Sequence, residues 1–212
     1  MKINALITAK SNSTRIPYKN VTFVAGKQLY KWTTDFLERY YFMFENIYFS
    51  SNKPEMFGFS GTKIRAIKRP AILCSDSLSH MATVKHAISR MIRDGSNPDY
   101  IMLFQPTNPF RSFSDIVSAI KIVRDNNSVD MVCSHYHDDN LEPSYIRHAR
   151  NSHPSDTAVK IKSGNLYLWR RRYISEGHLG CYVSIRIPKY RGYNINVPSD
   201  IPIAEALYKY NY

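Results

Sequence analysis

The chain has 212 residues and 24.6 kDa, with 29 Lys+Arg against 17 Asp+Glu, a formal net charge of +12 and an isoelectric point near 9.6. At 43% hydrophobic and 22% charged residues it can bury a core without disulfide or metal staples, which excludes a disordered chain. No apolar run reaches the roughly 20 residues of a membrane span, and the surplus charge leaves nucleic acid, an anionic surface or a small polyanion as partner classes.

In chain order, Asn4 to Ala9 reads as a buried strand and Lys10 to Asn20 as a long polar loop. Leu29 to Phe42 has the three-and-four spacing of an amphipathic helix. Asn46 to Ser50 and Lys63 to Lys68 read as strands. His80 to Asp94 is a second helix, ended by Gly95 and Pro98. Tyr100 to Phe104 is a wholly apolar strand, Ser114 to Asp125 a helix capped by Ser112 or Ser114, and Val129 to Ser134 a further strand. Strand and helix thus alternate over the first 135 residues, which predicts an α/β fold with a mainly parallel sheet between helices. From His137 the texture becomes polar and rich in Pro, Asn, His and Arg. Strand-like pieces follow at 157–161, 165–169 and 181–186, and a short helix at 199–208 closes the chain. The expectation is one domain over residues 1–212, with 137–175 as a small inserted hairpin.

The charge has a local bias. Residues 1–34 contain no acid, while Lys2, Lys10, Arg15, Lys19, Lys27 and Lys31 are all cationic. In an open α/β sheet, ligands bind beyond the carboxyl ends of the strands, and three polar loops fall there. Residues 9–20 combine cations, hydroxyls, amides and backbone N–H groups, as a polyphosphate requires, but lack a Walker ending. Residues 68–76 carry Arg69. Residues 105–111 read Gln-Pro-Thr-Asn-Pro-Phe-Arg, stiffened by two prolines. Each loop alone is equally an ordinary solvated turn. His135-Tyr136-His137 has metal-ligand residue types, although a surface turn is the commoner outcome for such a pair. Cys74, Cys133 and Cys181 form neither metal spacing nor a disulfide framework, and the N-terminus lacks a signal-peptide pattern, so a reducing cytoplasm is expected.

Taken together, the loops resemble those of the CMP-sugar cytidylyltransferases, in particular the acylneuraminate synthetase group. Ala9-Lys10-Ser11-Asn12-Ser13-Thr14-Arg15-Ile16-Pro17-Tyr18-Lys19-Asn20 is similar to that group's Ala-Arg-Gly-Gly-Ser-Lys-Arg-Ile-Pro-x-Lys-Asn loop. Arg69-Pro70, Leu73 and Asp76 match its Arg-Pro-x-x-Leu-x-x-Asp. Residues 105–111 match its Gln-Pro-Thr-Ser-Pro-Leu-Arg, and residues 163–168 loosely match its Asn-Gly-Ala-Ile-Tyr-Ile. The resemblance implies a three-layer, Rossmann-like nucleotide-diphospho-sugar transferase fold. It implies transfer of CMP from CTP to an anionic sugar with Mg2+ or Mn2+, a homodimer, and no membrane or nucleic-acid partner. By the same resemblance Ala9, Lys10, Ser11, Asn12, Ser13, Lys19, Asn20 and Arg69 bind nucleotide. Lys10, Arg15 and Lys19 carry the catalytic charge, Gln105 and Thr107 meet the sugar, and the insertion's arginines face a partner subunit's sugar.

The departures are informative. Lys10 replaces an arginine, Ser11 and Asn12 replace two glycines, and Thr14 replaces a lysine. The group's metal-binding Asp-Ile-Asp is Asn194-Ile195-Asn196 here. Mg2+ prefers charged oxygen ligands. The metal is therefore carried mainly by the triphosphate, or another acid such as Asp76, Asp138 or Asp200 substitutes, or the chain binds nucleotide without turnover. A basic single-strand nucleic-acid binder, using the many tyrosines and phenylalanines for stacking, is the remaining alternative.

Overall fold

The structure, a computed structural model, describes residues 1–75, 77–138, 152–154, 159–176 and 181–212. The expected strands lie in one sheet: β1 (Ile3–Thr8), β4 (Asn46–Ser51), β5 (Ile64–Lys68), β6 (Tyr100–Phe104), β7 (Val129–Asp138), β9 (Val159–Arg170) and β10 (Cys181–Arg186). Their order is β10-β7-β9-β6-β1-β4-β5, and a short β8 (Ser152–Pro154) flanks β9. All neighbours are parallel except β9, which runs antiparallel to both β6 and β7, and β8, which runs antiparallel to β9. This is the expected mainly parallel, mixed sheet.

Burial on both faces explains why β1 and β6 are almost wholly apolar. On one face Ile3, Ala5 and Ile7 of β1 pack with Leu37 of α1 (Leu29–Arg39) and Ala119 and Val123 of α3 (Phe113–Asp125). On the other, Leu6 packs with Val84, Ala87 and Met91 of α2 (His80–Arg93) and Ile174 of α4 (Arg171–Glu176). A third, smaller cluster joins Ile16, Val24, Leu29, Phe110, Ile195 and Ala204, the last on α5 (Asp200–Asn211). It gathers the loop after β1, the loop after β6 and the C-terminal segment at one end of the sheet.

Several elements differ from the sequence expectation. The first helix stops at Arg39 and a tight turn at Tyr41–Met43 follows. Tyr40 stacks on Phe113 at 4.5 Å, so that aromatic run serves packing rather than helix extension. A two-residue hairpin, β2 (Phe23–Val24) with β3 (Lys27–Gln28), had no strong signal. Its turn places Ala25 and Gly26 at φ of 49° and 74°, and only glycine takes that backbone readily. The strand-like pieces at 157–161 and 165–169 belong largely to the single strand β9, joined to β7 through a register shift between Cys133 and His135. His135 and His137 stand on β7 with ring centroids 5.2 Å apart, so the expected surface turn is a strand, and His135 is buried. Arg147 and Arg150 of the insertion lie outside the described residues, as does Asp76.

The long β9 also fastens the loops. Asn165 Nδ2 donates to the carbonyls of Phe110 (2.6 Å) and Arg191 (2.8 Å) from a fully buried position. Asn165→Ala leaves both carbonyls without a partner, and a loss of about 3 kcal/mol is expected, with a lower urea midpoint at unchanged slope.

Candidate active site

The sheet register sets the site. Thr8 lies level with Ser50, Ile7 with Phe104 and Ser51 with Lys68, so the loops after β1, β5 and β6 open side by side. Between them is a cleft of about 320 Å³.

Its first wall is the loop after β1. Lys10, Ser13, Thr14, Arg15, Lys19 and Asn20 line the cleft. The loop holds its shape by side-chain bonds where glycines were absent. Ser11 N–H donates to Asn52 Oδ1 (2.9 Å) and Asn52 Nδ2 donates to Ser11 Oγ (2.9 Å). Asn12 Oδ1 accepts from the N–H groups of Ser13 (2.9 Å) and Tyr18 (3.4 Å). Asn20 is buried and donates to the Lys10 carbonyl at 2.8 Å. Neither Ser11 nor Asn12 takes a positive φ. Tyr18 does, at 54°, a conformation costly for a residue with a Cβ. Lys19 Nζ donates to the Ile195 carbonyl at 2.9 Å. Its pKa is lowered from 10.5 to about 8, first by burial and then by the charges of Arg15 and Lys10, with Asp200 opposing.

The second wall comes from the segment after β5 and from α2. Arg69 is 6% exposed, and its Nη1 donates to Thr83 Oγ1 at 3.3 Å. Thr83 in turn donates to the Leu73 carbonyl at 3.2 Å. Arg69 Nε has no hydrogen-bond partner, although it is buried. His80, the first residue of α2 after its cap Ser79, faces the cleft and meets Thr8 Oγ1 through Nε2 at 3.0 Å. Crowding by the cleft walls and then the Arg69 charge lower its pKa to about 4.

The third wall is Gln105, Pro106 and Thr107. Arg111 is buried and donates to the Gln105 carbonyl (2.6 Å) and to Thr33 Oγ1 (2.8 Å). Burial lowers its pKa to about 9, with Tyr212 and Asp115 opposing. Gly164 of β9 makes room for this loop. A Cβ there would lie 2.5 Å from both Gln105 Oε1 and Asn108 Oδ1.

The Asn194–Asn196 segment borders Lys19 but does not line the cleft. Ile195 N–H donates to the Thr107 carbonyl at 2.8 Å. Asp200 turns back on the segment: its Oδ2 accepts from the N–H groups of Asn196 (2.6 Å) and Val197 (2.9 Å), and its Oδ1 accepts from Tyr193 OH (3.1 Å). Burial would raise the Asp200 pKa, but these bonds and Lys19 together lower it. Asn194 Oδ1 is buried without a partner. The donor set is therefore two amides and one carboxylate already committed to three hydrogen bonds, with an ammonium beside it. It does not fit a protein-held Mg2+. No cluster of three His, Cys, Asp or Glu side chains suited to a metal occurs among the described residues.

Of the residues expected at a site, Lys10, Ser13, Arg15, Lys19, Asn20, Arg69, Gln105 and Thr107 share the cleft. Ala9, Ser11 and Asn12 do not line it; Ala9 and Ser11 are buried and Asn12 is exposed. Arg170, Arg171 and Arg172 are elsewhere: they hold Asp130, the Asn127 carbonyl and the Pro98 carbonyl, and Arg170 pairs with Tyr100 at the amino end of β6. That end is opposite the cleft, so these three do not reach it. Sequence reading missed Thr8, His80 and Thr83, whose only signal was position, at a strand end, a helix start and a helix interior; Gly164 fell within the loosely matched segment 163–168, with no role assigned to it.

The comparisons fit this geometry. No protein-family model matches the chain. The fold is that of the cytidylyltransferases. A CMP:2-keto-3-deoxy-manno-octonic acid synthetase solved with CTP superposes over 100% of both chains, with a TM-score of 0.69 and 12% identity. A 4-diphosphocytidyl-2C-methyl-D-erythritol synthase from Anaerococcus prevotii superposes over 98% of both, with a TM-score of 0.63 and 12% identity. In sequence the chain is similar to the N-acylneuraminate cytidylyltransferase of Escherichia coli, 30% identical over 123 residues. That match covers 57% of this chain and 28% of the relative, so the matched part spans little more than a quarter of the relative's length. Among the described residues no helix is long and apolar enough to cross a membrane.

Lys19 makes the site pH-sensitive. Its ammonium is charged below about pH 8, and a bound polyphosphate stabilises that charged form. Affinity for tripolyphosphate is expected to fall as pH rises from 7 to 9.5, with proton uptake on binding. Calorimetry in buffers of different ionisation enthalpy measures both, and Lys19→Met is expected to flatten the profile.

Proposed function

We propose that the chain is a cytidylyltransferase that moves CMP from CTP onto an anionic sugar, of the sugar-acid class, and releases pyrophosphate. The observation that carries this reading is the convergence of Lys10, Arg15 and Lys19 with the buried Arg69 in one cleft at the carboxyl end of the sheet. The fold is shared with a synthetase solved with CTP. Convergence of these four cations in one cleft suits a small polyanion better than a nucleic-acid strand.

In this reading the triphosphate lies against Lys10, Arg15 and Lys19, with the loop's hydroxyls and amides around it. The base lies toward Arg69. The sugar enters beside Gln105 and Thr107, and its hydroxyl oxygen attacks the α-phosphorus, losing its proton to solvent, as the bond to the pyrophosphate oxygen breaks. The cations hold the charge that grows on the departing pyrophosphate, and Lys19, fixed by the Ile195 carbonyl, is already in place for it. Mg2+ or Mn2+ enters as part of the nucleotide substrate rather than as a resident ion. The β7–β9 arm around the insertion is the proposed seat of a homodimer contact, and the three free thiols suit a reducing cytoplasm.

A second reading, a nucleotide-binding relative without turnover, is favoured by the Asn194/Asn196 pair and the committed Asp200. Incubation with CTP, Mg2+ or Mn2+ and a panel of sugar acids is expected to release pyrophosphate slowly. The double change Asn194→Asp, Asn196→Asp is expected to tighten Mn2+ binding and raise the rate by about tenfold or more. CTP binding with no pyrophosphate across the panel, in both forms, supports the second reading.

A further inference from the structure

The segment that departs most from the resembled enzymes also carries a cation of this chain's own. Where that group has its metal-binding Asp-Ile-Asp, this chain has Asn194-Ile195-Asn196. The backbone carbonyl between the two amides takes the Lys19 ammonium at 2.9 Å, across 176 residues of sequence. Lys19 also lines the cleft, which Asn194, Ile195 and Asn196 do not. Its side chain therefore joins the segment to the space open to an anion.

An ammonium has three N–H donors. The Ile195 carbonyl uses one, and among the described residues no carboxylate forms an ion pair with Lys19 Nζ. Asp200 is engaged by the N–H groups of Asn196 and Val197 and by the Tyr193 hydroxyl. Two charged donors of Lys19 thus remain for a ligand. A divalent ion at the same corner meets two obstacles. The amides of Asn194 and Asn196 are poorer ligands for it than carboxylates. The tethered ammonium repels it at short range.

We infer that Lys19 takes the place of a protein-held divalent ion: its ammonium, moored on the Ile195 carbonyl, supplies the charge that holds a polyphosphate at this corner and keeps a metal ion out of it. This rests on the nucleotide-binding reading above and deepens it. Two carboxylates with a divalent ion, and two amides with an ammonium, both present positive charge to a phosphate. The second arrangement recruits no ion from solution.

The test has two arms, both on the full chain at pH 7. In the first, calorimetry measures inorganic tripolyphosphate binding in EDTA and in excess Mg2+. The wild type is expected to bind at least as tightly in EDTA. Lys19→Met is expected to weaken that binding about tenfold or more, the size of one charge-assisted hydrogen bond, and Lys19→Arg to retain most of it. In the second, electron paramagnetic resonance follows Mn2+ without nucleotide. The wild type is expected to leave Mn2+ free, and Asn194→Asp with Asn196→Asp to bind it. Adding Lys19→Met to that pair is expected to tighten Mn2+ by about tenfold, because the competing charge is gone. Adding Lys27→Met instead removes a lysine paired with Asp35 outside the cleft, and is expected to change nothing. Wild-type tripolyphosphate binding that requires Mg2+, or a Mn2+ affinity of the Asp pair that Lys19→Met leaves unmoved, overturns the inference while the nucleotide site stands. If neither tripolyphosphate nor CTP binds the wild type, with or without Mg2+, the nucleotide reading itself falls, and this inference with it.

Discussion

The site depends on holding like charges together. Lys10, Arg15 and Lys19 stand on one loop that no acid in the first 34 residues neutralises, and burial first, then the charges of Arg15 and Lys10, depress the Lys19 pKa. Such a cluster persists because the scaffold fixes it from several sides. Asn20 grips the Lys10 carbonyl, Asn52 pairs with Ser11, and the Ile195 carbonyl takes the Lys19 ammonium. An anion entering the cleft would relieve that repulsion, so the charge cluster itself favours anion binding.

The same loop shows how one backbone task can be met by different chemistry. Where the resembled enzymes use two glycines, this chain has Ser11, whose hydroxyl accepts from Asn52, and Asn12, whose side chain accepts from the N–H groups of Ser13 and Tyr18. The positive φ of this loop is at Tyr18. Near the C-terminus a parallel exchange has a chemical consequence. The segment of Asn194 and Asn196 is tied to Thr107 and Lys19 through Ile195, but the two amides bring no charge. Asp200, the acid nearest to them by bonding, is spent on the turn.

The antiparallel strand β9 links the two sides of the site. It carries Gly164, which lets Gln105 and Asn108 approach, and Asn165, which pins the carbonyls at both ends of the facing loops. Arg111 and Asp115 are buried beneath the same loop, with Arg191 3.3 Å from Asp115. Burial raises the Asp115 pKa, and Arg191, the Ser112 N–H and Arg111 act against that. The cleft-facing residues thus rest on a polar layer whose partners come from distant parts of the chain.

Much of this was legible in the amino-acid order. Apolar strands such as Tyr100–Phe104, helices with a clear stripe and the acid-free first 34 residues are local signals, because burial on one or two faces imposes its period directly on neighbouring residues. The three site loops were legible for the same reason: their polar residues are contiguous. The partnerships were not. Thr8 with His80, Lys19 with the Ile195 carbonyl, and Gly164 with Gln105 join positions that no local period relates. The arginines at 170–172 looked available in sequence and are used at the other end of the sheet. Residue types and local periodicity decided that this chain is an α/β protein with a cationic loop at a strand end. Only the tertiary structure decided which cations converge and which carboxylate is already committed, because hydrogen bonds and charge act through distances in space that sequence spacing does not record.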